Sequence, residues 1–276
     1  MPLLQPLKIL ALFSSMLALG ASAESKDNLK VITGDEVAWG HLNPARGAQG
    51  PQAANLWGDR AEDESTGFLV KFVDGFASPP HIHNVSYRAV VISGEIHNDD
   101  PDAAEIWMPV GSYWTQPKGQ EHITAAKGAH NVALVEIDRG PYLVLPVDES
   151  FDDGERPINV DPANLVWLKL RGWEDGVVVP ERCFLWGKVR PGHGNGSFLR
   201  LPAGFRGHLL NRQNSLQFVV VSGQLTLDTE EATELPSTSY VELSEGTMKS
   251  IPLHVREETV LYVRSVGDYQ VLEKNP

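Results

Sequence analysis

The sequence predicts an all-β protein made of two copies of one sandwich or jelly-roll barrel. Three observations point there: a turn-rich composition, apolar runs of strand length, and an internal repeat. The chain has 276 residues, with 19 prolines, 25 glycines and a 42% hydrophobic fraction. Such a chain is apolar enough to bury a core, and its Gly and Pro content favours many short strands joined by tight turns over a helical bundle.

The first segment is an address. Lys8 and the amino terminus supply positive charge, and Ile9 to Gly20 is an apolar run too short for a comfortable membrane span. Ala21-Ser22-Ala23 has the small-residue form of a signal-peptidase site. A signal peptide over 1–23 predicts a periplasmic or secreted protein, and no later segment is long and apolar enough to span a membrane. An oxidising compartment often goes with disulfides, but Cys183 is the only cysteine. An intramolecular disulfide framework and CxxC redox or zinc motifs are therefore excluded.

The repeat follows. Leu56-Trp57-Gly58 recurs as Leu185-Trp186-Gly187, Gly75-Phe76 as Gly204-Phe205, and Ser93-Gly94 as Ser222-Gly223, each 129 positions on. The offset then grows to 135, where Gly111 matches Gly246 and Pro117 matches Pro252. One offset held over such a span marks duplication. It divides the mature chain into units at 24–150 and 160–276, joined by an acidic, Pro- and Gly-containing stretch. In the first unit Phe68–Val73, Tyr87–Ile92 and Val132–Ile137 read as strands. In the second, Gln217–Val221, Gln224–Leu227 and Val260–Val263 do the same.

The chemistry concentrates in the first unit. His81 and His83, one residue apart on a strand, share a face, and Pro79-Pro80 limits the backbone just before them. Pro117 and Gly119 form a turn that can bring His122 beside the pair. Three neutral imidazoles suit one divalent transition metal (Fe, Mn, Zn, Ni or Cu) and leave positions for water or substrate. Glu95, Glu105 and Glu121 are the carboxylates at hand, but no spacing demands one. Tyr87 orients a ligand or donates a proton, or else packs with its hydroxyl satisfied. His97 is a further candidate beside the site, and Trp107, Tyr113 and Trp114 are candidates for a pocket mouth. Strand alternation turns Arg88 and Glu121 outward.

These segments resemble the two motifs of the cupin superfamily. Gly75, His81, His83 and Gly94 match the first motif, and Gly111, Pro117, Gly119 and His122 match the second. The resemblance implies two tandem cupin (double-stranded β-helix, jelly-roll) barrels, with His81, His83 and His122 as metal ligands. The family's fourth ligand, a glutamate, falls at Tyr87, which leaves a three-histidine site as in cupin thiol dioxygenases. The chain also resembles an uncharacterised bacterial two-cupin family through Leu42-Asn43-Pro44-Ala45-Arg46, Leu56-Trp57-Gly58-Asp59 and Pro79 to Asn84.

In the second unit the ligand positions fall on Leu210, Arg212 and Glu257, with Leu216 in place of Tyr87, so that unit is expected to be metal-free. Nothing in the sequence matches a G-x-S-x-G elbow, a phosphate loop or H-E-x-x-H, and Gly192 to Gly196 reads as a flexible turn. The net charge of −13 argues against nucleic acid or an anionic membrane as partner. A small-molecule ligand or substrate is expected. Two functions stay open: a metal-dependent small-molecule enzyme such as a dioxygenase, or a non-catalytic ligand- or metal-sensing module, similar to a zinc-binding anti-sigma factor. A homo-oligomer paired through its sheets, as in other cupins, stays open too.

Overall fold

The computed structural model describes residues 29–173, 179–211, 215–229, 231–244 and 249–273. The signal segment and Arg212 lie outside the described residues. The regular structure among the described residues is antiparallel β-sheet apart from three short 3₁₀ turns. No helix among the described residues is long and apolar enough to cross a membrane.

One seven-stranded sheet is built from the first half of the chain and the strand Ile158–Val160 that follows it. Its order is Ile158–Val160, Tyr113–Gln116, Tyr87–Asp99, Ile123–Ile137, Thr66–Phe72, Gln52–Trp57 and Gly40–His41. A second seven-stranded sheet runs Leu29–Ile32, Tyr240–Leu243, Leu216–Ser222, Thr259–Val266, Gly194–Leu201, Glu181–Gly187 and Leu168–Lys169. A five-stranded sheet, from Thr233–Pro236 to Tyr269–Glu273, belongs to the second half. Leu29–Ile32 crosses over, pairing with Tyr240–Leu243 and so tying the start of the described chain to the second half.

The 129-residue offset recurs in the backbone. Register shifts occur at Asn55/Trp57 and again at Phe184/Trp186, and at Val91/Ser93 and again at Val220/Ser222. The two tryptophans explain two of the shared glycines. A Cβ on Gly67 would lie 2.1 Å from the Trp57 ring, and one on Gly196 would lie 1.9 Å from the Trp186 indole nitrogen. Of Gly192 to Gly196, read as a flexible turn, Gly192 does lie in a turn, whereas Gly194 to Gly196 opens the strand Gly194–Leu201 by pairing with Arg264 to Val266. At Gly94, φ is +73° and a Cβ would meet Asn131 Oδ1 at 2.0 Å, so only glycine fits that bend in the long strand Tyr87–Asp99.

Alternation along Tyr87–Asp99 splits the core in two. Tyr87, Ala89 and Val91 join Phe68, Trp114 and Val135 inside the first half. Val90 and Ile92 face the other way and pack with Phe198, Val219 and Tyr262 of the second half. Arg88 follows them. It does leave the interior, as alternation predicts, but the face it reaches is covered by the second half. There it binds Glu136, which is 1% exposed, at 3.0 Å, and its guanidinium stacks 3.7 Å from the Trp186 ring. Arg264 and the Tyr262 hydroxyl hold the same carboxylate from the second half. Cys183 is buried in this layer, and burial raises its thiol above the usual range, so it is not an activated nucleophile.

Candidate metal centre

His81, His83 and His122 converge in the first half of the chain. Strand pairing does this directly: His81 and His122 form an antiparallel bridge, each N–H donating to the other's carbonyl at 3.1 and 3.0 Å. His83 follows on the short strand Ile82–His83, which pairs with Val144–Leu145. The turn at Gly119 docks onto it, the Gly119 N–H donating to the His83 carbonyl at 2.8 Å. The result is a cluster whose three ligand atoms all lie within 4.8 Å of one another.

Each imidazole is oriented by its Nδ1–H. That of His81 donates to the Pro79 carbonyl at 3.0 Å, that of His83 to Leu143 at 2.8 Å, and that of His122 to Gln120 at 3.2 Å. Carbonyls on Nδ1 leave the lone pair on Nε2, an arrangement widespread among metal-ligating histidines. Burial holds the imidazoles neutral. His83 is pushed down to about 3, by burial first and then by the nearby His81. His122 lies well below the ordinary value for the same first cause. His81 is lowered less completely, by burial and by the charge of Arg46, against the Pro79 carbonyl.

The donor set fits a transition metal. His122 is fully buried, and its Nε2 has no hydrogen-bond partner. An orphaned imidazole nitrogen costs free energy unless something takes its lone pair. No carboxylate joins the cluster among the described residues. Glu95 pairs with Lys127 at 2.9 Å, Glu105 accepts from Trp107 Nε1, and Glu121 lines a separate acidic hollow.

A cavity of about 340 Å³ opens over the cluster. Tyr87 and Trp114 line it, as do Phe72, Phe76 and Tyr142. The Tyr87 hydroxyl donates to Asn98 Oδ1 at 2.9 Å, and that oxygen also takes the Thr124 hydroxyl at 2.8 Å. Burial raises the Tyr87 phenol above its ordinary value, so it stays protonated. Tyr113 belongs to the layer between the halves, and Trp107 packs beside His97 rather than on the cavity. His97 is buried with Nδ1 beside the Ile106 carbonyl, outside the cluster.

Tyr142 is the residue sequence reasoning missed. Its ring stacks on His83 and its hydroxyl reaches His83 Nε2 at 3.0 Å. Asn84 places it: its amide donates to the Pro141 carbonyl at 2.9 Å and its oxygen accepts from Leu143 N–H at 2.8 Å. No motif spacing marks Tyr142, because it acts through a strap some sixty residues beyond the histidine it touches.

The second half has no counterpart cluster among the described residues. Leu216 is a core residue there. His208 lies 2.9 Å from Ser250 Oγ, and His254 lies 2.8 Å from Asp228.

Among solved structures the backbone is similar to that of a proposed dioxygenase from Nostoc punctiforme. Identity is 16%, covering 91% of this chain and 88% of that one, with a TM-score of 0.66. It is also similar to an oxalate decarboxylase from Lactobacillus farciminis, at 10% identity, 90% and 89% coverage and TM-score 0.55. Salicylate 1,2-dioxygenase from Pseudoaminobacter salicylatoxidans matches at 14% identity, 79% and 76% coverage and TM-score 0.52. At such identities the likeness establishes a cupin-like jelly-roll fold and nothing finer. No curated protein matches the chain. A family model does, over residues 30–272, and the chain therefore belongs to the family described as Domain of unknown function (DUF4437).

Proposed function

We propose that this chain is an exported bicupin metalloprotein with one mononuclear metal site, acting on a small molecule as a dioxygenase or related metal-dependent enzyme. The first cupin spans 24–150 and holds the metal; the second, 160–276, is degenerate. The paired register shifts and glycines at a constant offset support the duplication. Cleavage after Ala23 would make Glu24 the first residue of the exported protein, which N-terminal sequencing reads directly.

The observation that carries the reading is the buried, unpartnered Nε2 of His122, facing two other imidazoles whose Nδ1 atoms are fixed by backbone carbonyls. His81, His83 and His122 would hold the ion. A bound transition metal would supply Lewis acidity, or redox chemistry with O₂ if it is iron or copper. The chain's own residues do the rest. Phe72, Phe76 and Trp114 exclude water from the cavity. Tyr87 fixes one wall through Asn98, and with its proton given to Asn98 it would orient a ligand through its ring and as a hydrogen-bond acceptor.

Oxygen uptake by tag-free, iron-loaded protein against a panel of thiols, diketones and small aromatics tests the enzyme reading. Uptake with one class, lost in His83→Ala, is the expected result. Metal retained without uptake on any member would assign the site to binding or sensing instead.

A further inference from the structure

The cavity has a charge asymmetry that the metal site does not use. The chain carries 36 Asp and Glu against 23 Lys and Arg. Among the described residues no carboxylate lines the cavity, and Arg46 is the one Lys or Arg on its wall. Arg46 is exposed, so it marks the solvent-facing side of the cavity, and its charge reaches His81.

Its position is built. Asn43 Oδ1 accepts from the Ala45 N–H at 3.0 Å, and Pro44 starts the short turn that follows. Gly47, at φ +59°, kinks the turn, and a Cβ on Gly50 would come 2.8 Å from the Arg46 Cβ, so the chain closes tightly behind the arginine. Arg88, Arg139, Arg156, Arg182, Arg200 and Arg264 each hold a carboxylate. None of the described carboxylates pairs with Arg46. A guanidinium without an internal anion, carried on an ordered turn at the wall of a cavity whose body is largely apolar and aromatic, is a receptor for an external one.

We propose that the cavity binds a small organic monocarboxylate with a flat or apolar body. Arg46 takes the carboxylate, and Phe72, Phe76 and Trp114 take the body. This deepens the functional reading above and rests on its identification of the cavity as the ligand site. A volume of about 340 Å³ admits a single ring or a short chain.

The test is calorimetric titration of tag-free protein, with its metal content measured, against benzoate, cinnamate and hexanoate, each paired with its neutral amide. At least one acid should bind about tenfold more tightly than its amide, as a charge-assisted pair predicts. Arg46→Gln should bring that preference below about twofold while amide binding and metal content stay unchanged. If no acid outbinds its amide, or if the variant keeps the preference, the inference fails. A metal-free protein that discriminates through Arg46 would refute the metal centre and leave this inference standing. A metal-loaded protein without discrimination would do the reverse.

Discussion

The Tyr142 hydroxyl lies 3.0 Å from His83 Nε2, the nitrogen a metal would need. Because His83 gives its Nδ1–H to Leu143, Nε2 carries the lone pair and the phenol is the donor. Hydroxyl and metal compete for one lone pair. Tyr142→Phe should therefore bind metal more tightly, by about fivefold for a hydrogen bond worth about 1 kcal/mol. Competition with a chromophoric chelator measures this. Binding weakened tenfold would mean that the phenol oxygen is itself a ligand.

Asn84 makes two hydrogen bonds to the strap that carries Tyr142 and the Leu143 carbonyl. Asn84→Ala frees the strap, and His83 loses the acceptor that fixes its ring. Metal affinity should fall about tenfold or more, the usual penalty for losing an orienting partner. Unchanged affinity on chelator titration would show that His83 is held by other contacts.

The buried histidines make the metal-free protein acid-sensitive. Their folded pKa values are depressed, that of His83 to about 3, while unfolded histidines titrate near ~6.5. Below that value the unfolded chain takes up protons that the folded chain refuses. Stability is therefore fully present above about pH 6.5 and is lost as pH falls toward about 3, at about 1.4 kcal/mol per pH unit for each such histidine. Urea unfolding of metal-free protein at pH 7.5 and 5.5 should differ by more than about 1 kcal/mol, and the difference should shrink in His122→Leu. Equal stabilities at the two values would show that the imidazoles are not held neutral.

Glu136 joins the halves: Arg88 comes from its own half, while Arg264 and Tyr262 come from the other. Glu136→Gln leaves two largely buried guanidiniums facing a neutral group. The expected loss is about 3 kcal/mol, as when a buried ion pair is broken on one side. Metal content per folded chain should not change. Stability within about 0.5 kcal/mol of wild type would mean that water or nearby groups compensate.

The three-histidine cluster was legible because two short motifs mark it. His81 and His83 need only the two-residue period, while His122, which meets His81 through a long-range bridge, was marked by the Pro117 and Gly119 turn of the second motif. The repeat was legible because Trp57 over Gly67 and Trp186 over Gly196 impose the same sequence on two places. Long-range features were not. Alternation correctly turned Arg88 out of the interior, but a period of two does not distinguish water from another sheet. The crossing of Leu29–Ile32 to Tyr240–Leu243 leaves no periodic signal. Tyr142 and Arg46 act from a strap and a turn, where spacing has no fixed meaning; Arg46 sat within a family phrase that assigned it no role.

The most direct test of the three-histidine centre is elemental analysis of tag-free wild type and His83→Ala after metal supplementation, with both confirmed folded by circular dichroism. The account predicts close to one transition-metal ion per wild-type chain and almost none in the variant. A wild type that stays empty, or a variant that keeps its full complement, would contradict it.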